Sequence, residues 1–218
     1  AARFDETFDD LAAAGVDTSS LVLAWDFVTA SSEAMHGTML QIRRDGLAAV
    51  GDDGPALEIT DVQRFAEGES AYWAMRIEGT FRAPYFMKPD VVTDSTGTIE
   101  GSIFNRPSVE GGVVAQNGWR DATFWIGVPR TALDGTPHRL VQYGHGFFGA
   151  GDEAVREDDA FAKIAHDHNL IYYSASWTGM SQADFGNIQF AVFDFNNIPW
   201  LTDRIHQGLL EFLVLERA

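Results

Sequence analysis

Cysteine is absent from all 218 residues, which excludes disulfides and thiolate metal sites and leaves the redox compartment open. Basic residues are few: 15 Lys and Arg stand against 32 Asp and Glu, a formal charge of −17. That balance repels phosphate backbones and anionic bilayers, so nucleic acid is not an expected partner. No apolar run approaches the ~18–20 residues of a membrane span, and the opening residues lack the basic and apolar regions of a signal peptide. What is there is enough for a sizeable core, since 45% of the chain is hydrophobic and the length suits one large domain or two small ones. The acidic excess fits simple solubility, and it also fits a saline or extracellular setting.

Periodicity divides the chain into an N-terminal helical and β-rich region, 1–118, and a more regular region, 119–218. Residues 4–14 place Phe4, Phe8 and Leu11 at helical spacing before Gly15, which predicts a short amphipathic helix. A strand is expected over 21–27, and a second helix capped by Ser31 or Ser32 and ending toward Gly46 or Gly51. Short β-prone runs follow at 57–62, 72–77 and 80–86, with a hairpin connection at 67–70. The Gly-, Thr- and Ser-rich stretch 88–118 reads as an irregular loop with one or two edge strands. Beyond it, strands at 122–128, 140–143 and 170–177 alternate with a helix over 158–168. This pattern predicts an α/β fold with a mostly parallel sheet and helices on both faces. A last helix starts near Asn196 or Asn197 with Pro199 in its first turn, and Leu201, Ile205, Leu209, Phe212 and Leu213 form its apolar stripe. That stripe needs a sheet to bury it, and no strand follows before Ala218, so a partner that completes the sheet is expected.

The most informative run is 139–151, an apolar strand ending in His145-Gly146-Phe147-Phe148-Gly149. A glycine-rich bend after a strand presents backbone N–H groups, and such groups stabilise negative charge developing on an oxygen, which points to acyl transfer. The alternative is that the glycines only form a strand-to-helix turn. Together with 21–27, with Trp177-Thr178-Gly179-Met180-Ser181 and with the segment 203–217, the bend resembles the front half of an α/β-hydrolase. The resemblance is to the large secreted bacterial lipase/esterase-like group whose strand leads into a His-Gly-Leu-Leu-Gly-type turn. It implies a partial α/β-hydrolase sheet in which Phe147 supplies an oxyanion-hole amide, Gly146 lets the backbone approach closely, Gly149 permits the bend and His145 braces the loop. It further implies an extracellular or cell-envelope location, a small ester as substrate and no cofactor. No Gly-x-Ser-x-Gly elbow occurs anywhere in the chain. The nucleophile, acid and histidine are therefore expected on a C-terminal half of the same precursor or on another subunit, and the chain alone is not expected to be active. The competing reading is a non-catalytic structural or binding subunit that keeps a hydrolase scaffold.

Other residues invite chemistry less strongly. Gly179-Met180-Ser181-Gln182-Ala183 imitates an elbow, yet 184–192 shows no helical start, so Ser181 reads as a decoy nucleophile. Asp194 or Asp203 with His206 would complete the order Ser, acid, His, but His206 fits a helix-face histidine between Ile205 and Leu209. His166-Asp167-His168 lacks a third ligand at motif spacing, and Asp94 to Glu100 lacks the ligand count of a calcium loop, so no metal is expected. Among the aromatic residues, Phe148 and Trp177 are the candidates for an apolar substrate pocket.

Overall fold

The structure, a computed structural model, describes residues 2–88, 91–94, 97–100, 103–107, 112–156 and 160–218. The chain divides into two units, Ala1–Gly37 and Thr38–Ala218. In the first, α1 (Ala2–Ala13) stacks Phe4 on Phe8 with ring centroids 4.9 Å apart, and Gly15 supplies the left-handed turn (φ 80°) that ends it. The strand expected over 21–27 does not form, and Val22 is 99% exposed. β-propensity describes side chains that fit a paired, half-buried surface, and within this unit the segment has no strand to pair with. The helix α2 (Ser32–Val50) begins here, where the Ser31 hydroxyl accepts the Ala34 N–H at 3.1 Å.

The second unit is built on strands β1 (Leu57–Arg64), β2 (Trp73–Pro84), β3 (Val91–Asp94), β4 (Gly97–Glu100), β5 (Trp119–Pro129) and β6 (Arg139–Tyr143). They are followed by α3 (Ala160–His168), β7 (Leu170–Ala175), α4 (Phe185–Phe193) and α5 (Pro199–Leu215). The main sheet has the order β1-β2-β5-β7-β6, and β3 pairs β4 separately. The mostly parallel sheet expected from the alternating pattern is not found. The β1–β2, β2–β5 and β5–β7 pairs are antiparallel, and only β6–β7 is parallel. The reason lies in the connections: parallel neighbours need a long crossover, and α3 between β6 and β7 provides one. The β2–β5 ladder joins residues on either side of 118.

Residues 72–77 and 80–86, read as separate runs, join in the single strand β2. Gly79 between them marks close approach rather than a turn, because a Cβ there would lie 2.6 Å from Phe124 Cζ and against the Glu58 carbonyl oxygen. Strand alternation then assigns two faces. One carries Phe81, Ala83, Ala122, Phe124 and Ala175 and packs on Ile42 of α2 and Leu210 and Val214 of α5. The other carries Trp73 and Tyr172, which pack with Val155 and with Ala162 and Ala165 of α3. Burying each large side chain here contributes about 1.5–3 kcal/mol.

The deepest face of α5 is not the predicted stripe. Leu201, Ile205, Leu209, Phe212 and Leu213 are only partly buried, whereas Gln207, Gly208, Leu210, Glu211 and Val214 are buried. Hydropathy misplaces the face because two of its residues are polar and satisfied. Gln207 donates to Pro84 O and to Glu211 Oε1 and accepts from the Phe86 N–H. Glu211 also accepts from Thr178 Oγ1 at 2.7 Å and pairs with Arg120 at 3.2 Å, and its charge raises the pKa of that guanidinium. At Gly208 a Cβ would overlap Trp177 Cδ1 and the Thr178 carbonyl oxygen. Gly208→Ala should therefore cost about 1–3 kcal/mol in urea unfolding, and an unchanged midpoint would refute that close packing. Among the described residues no helix is long and apolar enough to cross a membrane.

Candidate functional site

The bend follows the carboxyl end of β6, and its geometry is set by hydrogen bonds to the segment after the neighbouring strand β7. His145 is 2% exposed. Its Nε2 accepts the Trp177 N–H at 2.7 Å, so the ring proton sits on Nδ1, which donates to Gly146 O at 2.7 Å. The ring thus joins the ends of both parallel strands and has no nitrogen left for proton transfer. The Phe148 N–H donates to Met180 O at 2.7 Å, the Gly149 N–H to Gly146 O at 3.1 Å, and the Gln182 N–H to Gly149 O at 3.1 Å. Below the bend, Glu153 accepts the Ala150 N–H and the Tyr143 hydroxyl. The N–H groups of Gly146 and Phe147, by contrast, meet no acceptor among the described residues. Here Gly146 opens on empty space, with no atom within 4 Å of where a Cβ would stand, while Gly149 is crowded by Glu153 Oε1 at 2.7 Å.

Phe148 holds a left-handed backbone (φ 61°). A residue with a side chain pays about 1 kcal/mol or more for that conformation, and its bond to Met180 O keeps it there. Phe148 is 48% exposed and Phe147 52%. Trp177 differs: its ring lies 5.0 Å from that of Phe212, and its indole N–H donates to Ile205 O at 3.3 Å. Of the two residues expected to line a pocket, Phe148 presents an open ring and Trp177 is wedged against α5.

Ser181 is 6% exposed, and its hydroxyl donates to Asp184 Oδ2 at 2.6 Å, as its N–H does at 3.1 Å. Asp184 Oδ1 in turn receives Arg204 Nε at 2.8 Å and a second guanidinium nitrogen at 2.5 Å. The segment 184–192, read as lacking a helical start, instead enters α4 through a 3-10 turn. The missed signal is the Ser-x-x-Asp spacing, a capping pair that satisfies the first N–H groups of the turn. Among the described residues no histidine bonds Ser181, so nothing here activates its hydroxyl. Arg204, read from sequence as fixing the start of the last helix together with Asp203, instead pairs with Asp184, and the Met180 carbonyl was not singled out because its partner Phe148 is distant in the chain.

His206 stacks on Phe104 at 6.0 Å, and Asp203 accepts the Phe104 N–H at 3.0 Å. Burial lowers the His206 pKa below 6.5, with Asp203 opposing, and burial raises that of Asp203. A depressed imidazole pKa means the unfolded chain takes up the proton first. The stability His206 contributes is present above pH 6.5 and is lost as pH falls through its folded pKa. Asp203 has the opposite sign, with stability present below 3.8 and lost as pH rises through its elevated folded pKa. His206→Gln should therefore shrink the fall in urea midpoint between about pH 7.5 and about pH 5.5, and an unaltered fall would remove His206 as its source. His166 meets Tyr72 edge-on at 5.6 Å and lies 3.3 Å from Asp167, and among the described residues no group of three His, Asp or Glu could hold a metal. Asp94 ends β3 and Gly97–Glu100 form β4, which pairs with β3 antiparallel, and the side chains of this segment lie outside the described residues.

Compared with known protein families, with curated proteins and with solved structures, the chain matches none.

Proposed function

We propose that this chain is the oxyanion-hole-bearing part of a serine ester hydrolase of the lipase/esterase type, acting at the cell envelope or outside the cell on a small ester. The observation that carries the reading is the unpaired Phe147 N–H, next to the unpaired Gly146 N–H and beside open space, on a bend whose amides at 148 and 149 are bonded. An amide fixed in this way, before any substrate arrives, needs no reorganisation as charge develops on an oxygen. It also stands beyond the carboxyl ends of parallel strands, where ligands bind in open α/β sheets.

In this reading the nucleophile, acid and histidine come from a C-terminal half of the same precursor or from another subunit. Two features support a strand from such a partner along β6. β6 is the last strand of the sheet, and Leu140 on it is 70% exposed. A hollow of about 320 Å³ lies on a face of the sheet, lined by Leu57 of β1, Ile126 and Val128 of β5, Ile171 of β7, Leu140 and Leu215. Handedness favours the same edge. The crossover from β6 to β7 runs over one face through α3, and α5 lies on the other face, so a right-handed crossover over α5 leads back past β7 to the free side of β6. A strand entering there would end beside His145.

Treating the natural complex with a serine-directed fluorophosphonate should label the partner polypeptide and leave this chain unlabelled. Label on Ser181 would overturn the assignment, and no label on any chain would favour a non-catalytic subunit that keeps the scaffold. Gly146→Ala tests the approach to the amide: its methyl enters open space, so the urea midpoint should hold while kcat/KM of the complex falls. Unchanged kcat/KM would place the ester elsewhere.

A further inference from the structure

Three rings, two on the bend and one at the start of α4, form a connected group on the surface. Phe147 and Phe148 lie 5.9 Å apart with planes at 58°, and Phe148 and Phe185 lie 5.7 Å apart at 53°. Phe185, which opens α4, is 57% exposed, so each ring leaves about half its surface in water. A chain carrying a formal charge of −17 has ample polar side chains for its surface, and a contiguous apolar group of this kind marks a binding position. The left-handed backbone at Phe148 points the same way, since that conformation is retained where the side chain it presents has a use.

We propose, resting on the oxyanion reading above, that these rings receive an aryl group of the ester, with Phe148 and Phe185 as the specificity-determining side chains. The tilted spacing of the three rings is the arrangement aromatic side chains prefer, and a fourth ring extends the series with the same geometry. A long alkyl chain finds less here. The apolar hollow that would suit one is lined by Leu140 and Ile171, the second residues of β6 and β7, at the opposite ends of these strands from the bend. The linked rings beside the bend fit a compact planar group held with its ester oxygen toward the Phe147 N–H.

The full chain, ¹⁵N-labelled, is titrated with phenylphosphonate, hexylphosphonate and methylphosphonate, whose tetrahedral anions imitate the charged oxygen. The Phe147 amide resonance reports on the anion. Phenylphosphonate is expected to bind about fivefold to tenfold tighter than either alkyl probe. Phe185→Leu, which keeps apolar area and removes the ring, should reduce that preference, and Phe148→Ala should abolish it. Equal affinity for the three probes with a responding amide overturns the aryl inference and leaves the oxyanion reading standing. Equal affinity of phenyl- and hexylphosphonate, both above methylphosphonate, also overturns it, since the rings would then serve any apolar group. A Phe147 resonance that no anion moves overturns the oxyanion reading and this inference with it.

Discussion

Replacing the amide at Phe147 by an ester, with the phenylalanine side chain intact, is expected to lower kcat of the completed hydrolase about 100- to 1,000-fold. The change replaces the N–H by an oxygen, and it also weakens the Gly146 carbonyl as acceptor for the Gly149 N–H and the His145 ring. Since the Phe147 N–H meets no acceptor among the described residues, the loss of stability should come from the weakened Gly146 carbonyl alone and stay at about 1 kcal/mol or below. The same replacement at Phe148 is the control, because that N–H donates to Met180 O at 2.7 Å. It should cost about 0.5–1.5 kcal/mol of stability, the net worth of one hydrogen bond, and disturb kcat only through the shape of the bend. Chemical assembly of the chain, with kinetics on a short ester and urea unfolding in parallel, separates the two. A full-rate enzyme lacking the 147 amide would show that charge is stabilised elsewhere.

Asp184→Ala is expected to be the most destabilising of the substitutions considered, by about 3–5 kcal/mol, because it removes the buried carboxylate from a nearly buried ion pair. Asp184 is 1% exposed, the Arg204 side chain is 13% exposed, and their contacts are 2.8 and 2.5 Å. Ser181 also loses the acceptor for its N–H and hydroxyl. The loop so loosened includes Met180, which holds Phe148, so the change should reach the bend as faster amide exchange at residues 148 and 149. Ser181→Ala removes a single hydroxyl donor and should cost about 1 kcal/mol. Equal losses for the two variants would show that the Arg204 pair contributes little.

Much of the local structure was legible in the chain itself. The strands at 122–128 and 140–143, the helix over 158–168 and the Pro199 start of the last helix fall close to β5, β6, α3 and α5, because periodicity and punctuation act over a few residues. Strand direction was not legible, since it depends on which distant strands meet, and only the β6–β7 connection contains the crossover that imposes parallel pairing. The strand read at 21–27 had propensity without a partner. The glycine bend was visible as composition. Which of its amides are free was not, because the Met180 carbonyl that takes the Phe148 N–H lies 32 residues away.

Gln207 fixes more than its own neighbourhood. Its side-chain amide meets backbone on both sides of Tyr85, at Pro84 O and the Phe86 N–H, and meets Glu211 one helical turn on. Oily contacts tolerate a slide of one turn, but these polar contacts do not, because every displaced group would be left dry and alone at about 1–3 kcal/mol apiece. The helix is keyed to the sheet like a tooth in a rack. Leucines and valines around it tolerate exchange for residues of like volume, while this glutamine sets the one position in which Trp177, and through it the His145 bend, is held in place.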